Sequence, residues 1–296
     1  MPEGDASHRL ARTFDHLFVG HQCRISSPQG RFSSSAELID DTTLTGAHAV
    51  GKHLFLGFDG SSSPRWIHVH LGLYGSWRFA GDSTFEAPAS IGAPRRLVVP
   101  SGAVGGHWEP PAPVGQVRLR IRTAHGLADL SGPNRCELLS DEERIQAEFK
   151  LGPDPLGPVP REVAPEFVRR VKTRRRAIGE LLMDQAIVAG VGNIYRAEGL
   201  FVAGISPMRR GDRVSADRLT QLWNYTCDLM ERGLECGRIE TVSPQDAPVP
   251  LLPNDPEASR WYVYHRTGRP CLRCGTPISE KLMQSRRLFW CAGCQR

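Results

Sequence analysis

The 296-residue chain contains no long apolar run. A transmembrane helix needs about 20 predominantly apolar residues in succession, so the sequence excludes a membrane span. The first five residues are too polar for a secretory signal peptide, which predicts a cytoplasmic protein. The 40% hydrophobic and 23% charged residues are ordinary for a globular protein and exclude wholesale disorder. At roughly 100–200 residues per domain, the length predicts about two domains.

Lysine is also scarce, because only four of the 37 basic residues are lysine and 33 are arginine. Codon bias accounts for most of this excess. An amine can nevertheless do chemistry that a guanidinium cannot. Lys52 is the only lysine before residue 150, which makes it a candidate functional residue.

The net charge of +5 is unevenly distributed. Residues 161–213 carry 11 basic and 6 acidic side chains, and residues 260–296 carry 8 basic and 1 acidic. The rest of the chain is therefore net negative. A positive surface in the C-terminal half predicts a polyanionic partner, and nucleic acid is the commonest.

Four of the eight cysteines form two Cys-x-x-Cys pairs separated by 16 residues. This spacing fits a zinc ribbon with a structural Zn²⁺ ion and a filled tetrahedral shell. Two disulfides are the alternative, which the missing secretory signal disfavours. The predicted ligands are Cys271, Cys274, Cys291 and Cys294.

Alternating apolar residues and clusters of Gly, Ser and Pro predict a β-rich domain over residues 1–130. A helix is predicted over Ala6–Phe18, and residues 80–115 are predicted to be a long loop. Ser140 followed by Glu143 is a capping box that predicts the start of a short helix.

Helical spacing recurs over Glu166–Gln185 and Asp217–Gly233. We expect a helical domain over residues 131–239, a linker at 240–260 with many prolines, and the ribbon at 261–296.

Two features could carry chemistry or bind phosphate. If Met1 is removed, Pro2 has a secondary amine that can attack an aldehyde carbon and form a cationic iminium, with the Glu3 carboxylate beside it. Asn193 follows a glycine turn where a helix begins, so backbone amides there could face a phosphate. The alternative for Asn193 is a tight connection between helices.

Pro2-Glu3-Gly4, Gly51-Lys52-His53-Leu54-Phe55, the Gly190–Tyr195 turn and the four-cysteine ribbon occur in this order in one chain. Together they resemble the formamidopyrimidine-DNA glycosylase/endonuclease VIII family of base-excision-repair enzymes. The Pro2-Glu3-Gly4-Asp5 start and the segment His70–Gly75 look most like the actinobacterial endonuclease VIII branch.

The resemblance implies an α+β multidomain fold: an N-terminal β-sandwich with flanking helices, a C-terminal helix–two-turns–helix module and the zinc ribbon. It implies that Pro2 is the nucleophile and Glu3 a proton donor to the sugar. Lys52 matches a lysine that assists the sugar chemistry, and Arg286 an arginine that grips the phosphates around the lesion, with Arg287 less favoured. Implied DNA contacts are Lys150, Asn193, His70, Leu73 and Tyr74.

Leu73 and Tyr74 match the position of an apolar wedge that fills the space left by a flipped nucleotide. Core residues at a strand end are the alternative. His68 and His70 point to one strand face, where a phosphate contact by His70 is favoured over a metal pair.

The resemblance further implies a bifunctional DNA glycosylase and AP lyase that acts by β,δ-elimination. Purine-specific members carry an Arg-Phe pair that the stretch Gly126–Cys136 lacks, which favours oxidised pyrimidines. An AP lyase with weak glycosylase activity and a non-catalytic zinc-ribbon DNA-binding protein are the alternatives. We expect a bacterial, nucleoid-associated monomer acting on damaged double-stranded DNA, with single-stranded DNA left open.

Overall fold

The computed structural model describes residues 2–60, 64–93 and 108–296. The chain divides into two compact units, residues 1–149 and 150–296. The prediction of a long loop over residues 80–115 was wrong in part, because Ser90–Gly92 form a strand; residues 94–107 of this stretch lie outside the described residues. Within the described part, no helix has the length and apolarity required to cross a bilayer.

The described residues of the N-terminal unit form nine antiparallel strands in the order β6-β5-β8-β7-β1-β2-β3-β4-β9. The central strand β1 pairs with β7 on one side and β2 on the other. Their bounds are β1 Gln22–Ser26, β2 Thr42–Val50, β3 His53–Phe58, β4 Arg65–His70, β5 Ser76–Gly81, β6 Ser90–Gly92, β7 Val117–Arg122, β8 Gly126–Ser131 and β9 Arg135–Leu139.

Helix α1 (Gly4–Leu17) begins two residues before the predicted start and buries Leu10 and Phe14 completely. These side chains share one core with Leu54 and Ile67 of the sheet. Side-chain direction alternates along a strand, so the next residues on β3 and β4 lie on the other face. That second face carries the histidines described below. A short helix, α2 (Ser33–Glu37), packs near β1.

The N-terminal unit extends past the domain boundary predicted at residue 130, because β9 pairs with β4 and α3 (Asp141–Phe149) follows it. The capping box at the start of α3 forms. Ser140 N donates to the Glu143 carboxylate at 2.8 Å, and Glu143 N donates to Ser140 Oγ at 3.3 Å. Both otherwise unpaired amides are thereby satisfied.

The C-terminal unit contains four α-helices in its described residues: α4 (Ala164–Lys172), α5 (Ile178–Leu181), α6 (Asn193–Val202) and α7 (Ala216–Cys236). The prediction of continuous helical structure over Glu166–Gln185 was wrong. The chain leaves the helix after α4, and Ile178 N donates to the Arg209 carbonyl at 2.8 Å. This long-range pairing overrides the local helical periodicity.

The segment predicted as a linker is anchored at its beginning and near its end. Thr241 is buried and donates to the fully buried carboxylate of Glu198 on α6 at 2.5 Å. Glu198 also accepts backbone N–H bonds of 2.8–2.9 Å from Tyr262, Val263 and Tyr264. One buried carboxylate thus fixes the chain on both sides of residues 242–261.

The ribbon is a hairpin of β10 (Ile278–Met283) and β11 (Arg286–Cys291). Its two-residue turn uses Gln284 and Ser285, both at positive φ, which is the backbone twist that such short hairpins require. Arg286 is exposed directly after this turn.

Candidate functional site

The N-terminus places a buried acid beside the predicted nucleophile. Glu3 is the N-cap residue of α1 and is 1% exposed, while Pro2 is half-buried. Asp5, in the first turn of the same helix, is also buried. Burial, together with the nearby Glu3 charge, raises the pKa of Asp5 to about 6. Met1, on whose removal the predicted chemistry depends, lies outside the described residues.

Lys52 lies in the two-residue turn between β2 and β3. Val50 pairs with His53 across this turn, and Gly51 has a φ of +58°. Glycine adopts this left-handed conformation without steric cost. The hairpin thus holds the half-buried Lys52 at one end of the sheet.

The loop after β4 exposes both predicted wedge residues. Gly75 N donates to the Leu71 carbonyl at 2.9 Å, which closes a tight turn. Gly72 has a φ of +65°, and a Cβ there would lie 2.7 Å from Asn134. Leu73 and Tyr74 at the tip are 53% and 74% exposed. They are therefore not core residues, and the wedge role stays a prediction.

His70 and His68 do lie on one face, as their spacing predicts, but their environments differ. His70 is half-buried and its Nδ1 accepts from Gly72 N at 3.1 Å. His68 is 1% exposed, with its two ring nitrogens 2.7 Å from His53 Nδ1 and 3.0 Å from the Glu137 carboxylate. Sequence reasoning missed His53 and Glu137, because their proximity depends on the strand register.

Asn193 is the first residue of α6, but its side chain points inward. It is 6% exposed, and its Nδ2 donates to the Arg287 carbonyl at 2.9 Å. Its Oδ1 accepts from the fully buried Arg196. The structure therefore brings the glycine turn and the ribbon tip together. The Asn193 side chain links the turn to the ribbon tip by its hydrogen bond to Arg287, and phosphate binding by Asn193 stays a prediction.

The two ribbon arginines differ in their partners. Arg287 donates twice to Glu280, at 2.5 and 2.7 Å, and lies over the Phe289 ring. For the exposed Arg286, no ion pair forms with any described residue. A guanidinium without a carboxylate partner is the better phosphate ligand, so this difference favours Arg286 over Arg287, and the phosphate contact stays a prediction.

Lys150 is exposed at the start of the C-terminal unit. The segment after it is tied to the turn before α6, because Gly152 N donates to the Gln185 carbonyl at 2.8 Å. Ala189 N donates to the Pro153 carbonyl at 3.0 Å. Lys150, Asn193 and Arg286 thus belong to one unit.

The four ribbon cysteines converge as their spacing predicts, with all Sγ atoms within 4.8 Å of one another. The Sγ separations are 3.8 Å for Cys271–Cys294 and 3.4 Å for Cys274–Cys291. Zn–S bonds of about 2.3 Å in a tetrahedron need sulfur atoms somewhat under 4 Å apart, so the set fits zinc. In the described part of the chain, no other such group of potential ligands forms.

The stretch that lacks the Arg-Phe pair forms β8 and the turn into β9. All residues of β8 are buried, and Asn134 in the turn is exposed. Asn134 N donates to the His70 carbonyl at 2.9 Å. The turn therefore lies against the loop that carries Leu73 and Tyr74.

Sequence comparison matches two domain families. The formamidopyrimidine-DNA glycosylase N-terminal domain matches residues 1–129, and its H2TH domain matches residues 151–244. Endonuclease 8 1 of Mycobacterium tuberculosis is 41% identical over 298 residues, covering both chains completely. The formamidopyrimidine-DNA glycosylase of Corynebacterium jeikeium is 29% identical and covers 99% of this chain and 96% of its own.

Solved structures show the same fold. The MutM (Fpg) protein from Thermus thermophilus superposes with a TM-score of 0.72 at 24% identity, covering 99% of this chain and 98% of its own. Lactococcus lactis Fpg, solved in a complex with DNA containing an abasic site, gives 0.73 at 21% identity and covers 99% of each chain. The chain therefore belongs to the formamidopyrimidine-DNA glycosylase/endonuclease VIII family of bifunctional base-excision-repair DNA glycosylases.

Proposed function

We propose that this family member removes oxidised pyrimidines from duplex DNA and then cuts the strand by β,δ-elimination. The observation that carries the proposal is the N-terminus, where a half-buried Pro2 precedes the buried Glu3 at the start of α1. A target base inside a duplex must first be flipped out, at a cost of a few kcal/mol. Leu73 and Tyr74 are exposed side chains that could replace the lost stacking.

In the proposed reaction, the Pro2 amine attacks C1′ of the damaged nucleoside and the base departs. The C1′–N bond forms as the C1′–base bond breaks. The C1′–O4′ bond then opens as Glu3 protonates O4′, and the resulting iminium withdraws electrons from C2′. Loss of a C2′ proton then expels the 3′ phosphate, and a second elimination expels the 5′ phosphate. Glu3 and Lys52 move the protons, and a one-nucleotide gap with phosphate at both ends remains.

DNA would be held by the C-terminal unit, whose excess of positive charge suits a polyanion. We propose that Lys150, the amides near Asn193 and the Arg286 guanidinium bind phosphates. His70 would contact a phosphate from the N-terminal unit. We further propose one Zn²⁺ ion on the four cysteines, with a structural role because four protein ligands fill its shell. The protein would act as a monomer in the bacterial nucleoid.

Preference for oxidised pyrimidines is supported by the missing Arg-Phe pair. The turn that would carry such a pair has Asn134 at its tip beside the wedge loop. Cutting should be compared on duplexes containing thymine glycol, 8-oxoguanine or an abasic site. Faster release of thymine glycol than of 8-oxoguanine supports the proposal. Cutting of the abasic duplex alone would favour an AP lyase with weak glycosylase activity.

The variant Lys52→Arg separates proton transfer by Lys52 from the effect of its positive charge. Because Arg keeps the charge but cannot exchange a proton near neutral pH, cutting should fall by about 10²-fold or more, while binding of abasic DNA should change little. Lys281→Arg on the exposed surface of the ribbon is the matched control. Equal cutting by both variants would exclude a chemical role for Lys52.

A further inference from the structure

A chain of hydrogen-bonded side chains crosses the second face of the N-terminal sheet. It runs from the Glu137 carboxylate to His68 Nδ1 at 3.0 Å, and from His68 Nε2 to His53 Nδ1 at 2.7 Å. Strand register produces it, since His68 lies opposite Glu137 on β9, while His53 lies opposite His70. The chain ends at the residue that follows Lys52.

The hydrogen bonds fix which nitrogen of each ring carries a proton. A carboxylate can only accept, so His68 must donate from Nδ1. A neutral His68 then accepts at Nε2, and His53 must donate from Nδ1. The remaining nitrogen, His53 Nε2, is left with a lone pair on the far edge of the ring.

The surroundings keep both rings neutral. Burial lowers the pKa of His53 to about 3, with further lowering by His68, His70, Arg135 and Lys52. Burial also lowers the pKa of His68, against the opposing effects of Glu137 and Glu148. The pKa of His70 falls to about 4 because of burial and then the Lys52 charge. The Lys52 charge thus acts on two neutral imidazoles, those of His53 and His70.

We propose that His53 is a positioning residue for Lys52, and that Glu137 and His68 hold it in the tautomer whose Nε2 accepts a hydrogen bond from the Lys52 ammonium during strand cutting. This inference rests on the proposed function for its effect on cutting. A carboxylate that orients one ring, which in turn orients the acting group, follows the logic of catalytic triads. Here the acting group is the Lys52 ammonium, and two imidazoles, those of His68 and His53, stand between it and the carboxylate instead of one.

The principal test is His68→Phe, with His48→Phe as the matched control. Both rings stack on Phe55, at centroid distances of 4.6 and 5.2 Å, and both bind a carboxylate. Only His68 also contacts His53. Single-turnover cutting of an abasic duplex should be measured from pH 5.5 to 8.5 with saturating enzyme.

In His68→Phe, His53 stays buried and neutral, but its Nδ1–H loses the acceptor that holds its tautomer. His53 can then also adopt the Nε2–H tautomer, which cannot accept a hydrogen bond from Lys52, so cutting should fall about tenfold relative to the wild type across this pH range. His48→Phe should cut like the wild type. A His68→Phe variant that cuts like the wild type, or an equal loss in His48→Phe, would overturn the proposal.

A second readout does not depend on activity. Nitrogen-15 NMR should show His53 in wild type as the neutral Nδ1–H tautomer down to pH 5. The milder variant Glu137→Gln should produce a mixture of tautomers, because a carboxamide can either donate or accept. The Nε2–H tautomer in wild type would overturn the inference. If wild type shows the predicted tautomer but cuts no DNA, the proposed function fails instead.

Discussion

Buried polar groups near the predicted nucleophile differ from those in the core of the C-terminal unit, although the N-terminal unit also holds a buried ion pair, Arg120 with Asp129, at 2.7 Å. In the C-terminal unit, the buried Arg266 donates to Asp255 at 2.8 Å, and the Glu198 carboxylate has four donors. In the N-terminal unit, one Asp5 oxygen has no hydrogen-bond partner among the described residues, and the pKa shifts of Asp5 and His53 both favour the neutral form. Fully hydrogen-bonded groups such as Glu198 and the Arg266–Asp255 pair fix architecture, whereas Asp5 near Pro2 and His53 beside Lys52 can still exchange protons. The N-terminal unit therefore gives up stability where the chemistry is proposed.

Among the variants that compare the two units, the largest loss of folding free energy should follow from removing a ligand of the predicted zinc ion. Cys274→Ser removes one of four predicted ligands, and zinc binding supplies on the order of 10 kcal/mol of folding free energy in isolated zinc fingers. We expect zinc content to fall from one ion per chain to near zero and the β10–β11 hairpin to become sensitive to protease. Cys236→Ser, at an exposed cysteine outside the cluster, is the control. Full zinc content in Cys274→Ser would contradict the assigned site.

Breaking the buried Arg266–Asp255 ion pair of the C-terminal unit should lower the unfolding free energy by less than loss of the metal does, but still by several kcal/mol. Arg266→Met leaves the 5%-exposed Asp255 without its cation, which costs about 3–5 kcal/mol of unfolding free energy. Chemical denaturation measures the loss. The double variant Arg266→Met with Asp255→Leu should recover a large part, because no charge then stays buried and unpaired. A loss under about 1 kcal/mol in the single variant would show that the pair is unimportant.

Removing the buried carboxylate of Asp5 in the N-terminal unit should instead stabilise the protein at high pH. The pKa of Asp5 is raised, so its contribution is complete below about pH 4 and is lost as the pH rises through about 6. Asp5→Asn should therefore raise the unfolding free energy by about 3 kcal/mol at pH 8, with little change at pH 4. Asp15→Asn, exposed on the same helix, should change neither value by more than about 0.5 kcal/mol. Destabilisation of Asp5→Asn at pH 8 would contradict the account.

The smallest expected effect is a difference in DNA binding between variants of the two ribbon arginines, Arg286 and Arg287. Arg286→Ala should weaken binding of abasic-site DNA by about 1 kcal/mol and reduce the slope of log K against log salt by about 1. Arg287→Ala should change the slope less, because Glu280 already pairs with this side chain. Fluorescence anisotropy at several salt concentrations measures both. A larger slope change in Arg287→Ala would reverse the assignment.

Local signals predicted several elements well. The Ser140–Glu143 capping box gave the start of α3, and the Cys-x-x-Cys pairs gave the ribbon cluster. Each depends on residues close in sequence or on a fixed ligand spacing. The break after α4 could not be predicted in this way, because it depends on Arg209, which pairs with Ile178 from the far side of α6.

The candidate site shows the same limit. Lys52 and Pro2 stand out from composition and from the family resemblance, so sequence alone is enough to propose them as site residues. His53 and Glu137 become visible only when three strands are in register. The inward side chain of Asn193 likewise depends on the ribbon tip, which lies 94 residues further along the chain.

The central claim is that the Pro2 amine carries the chemistry, and the most direct measurement locates the covalent adduct. Intact mass should first show a chain without Met1. Borohydride reduction during cutting of an abasic duplex, followed by peptide mapping, should then place the adduct on the Pro2 nitrogen, and Pro2→Gly should lose most of the trapped product. An adduct on Lys52, full trapping by Pro2→Gly, or cutting by a chain that retains Met1 would contradict the account.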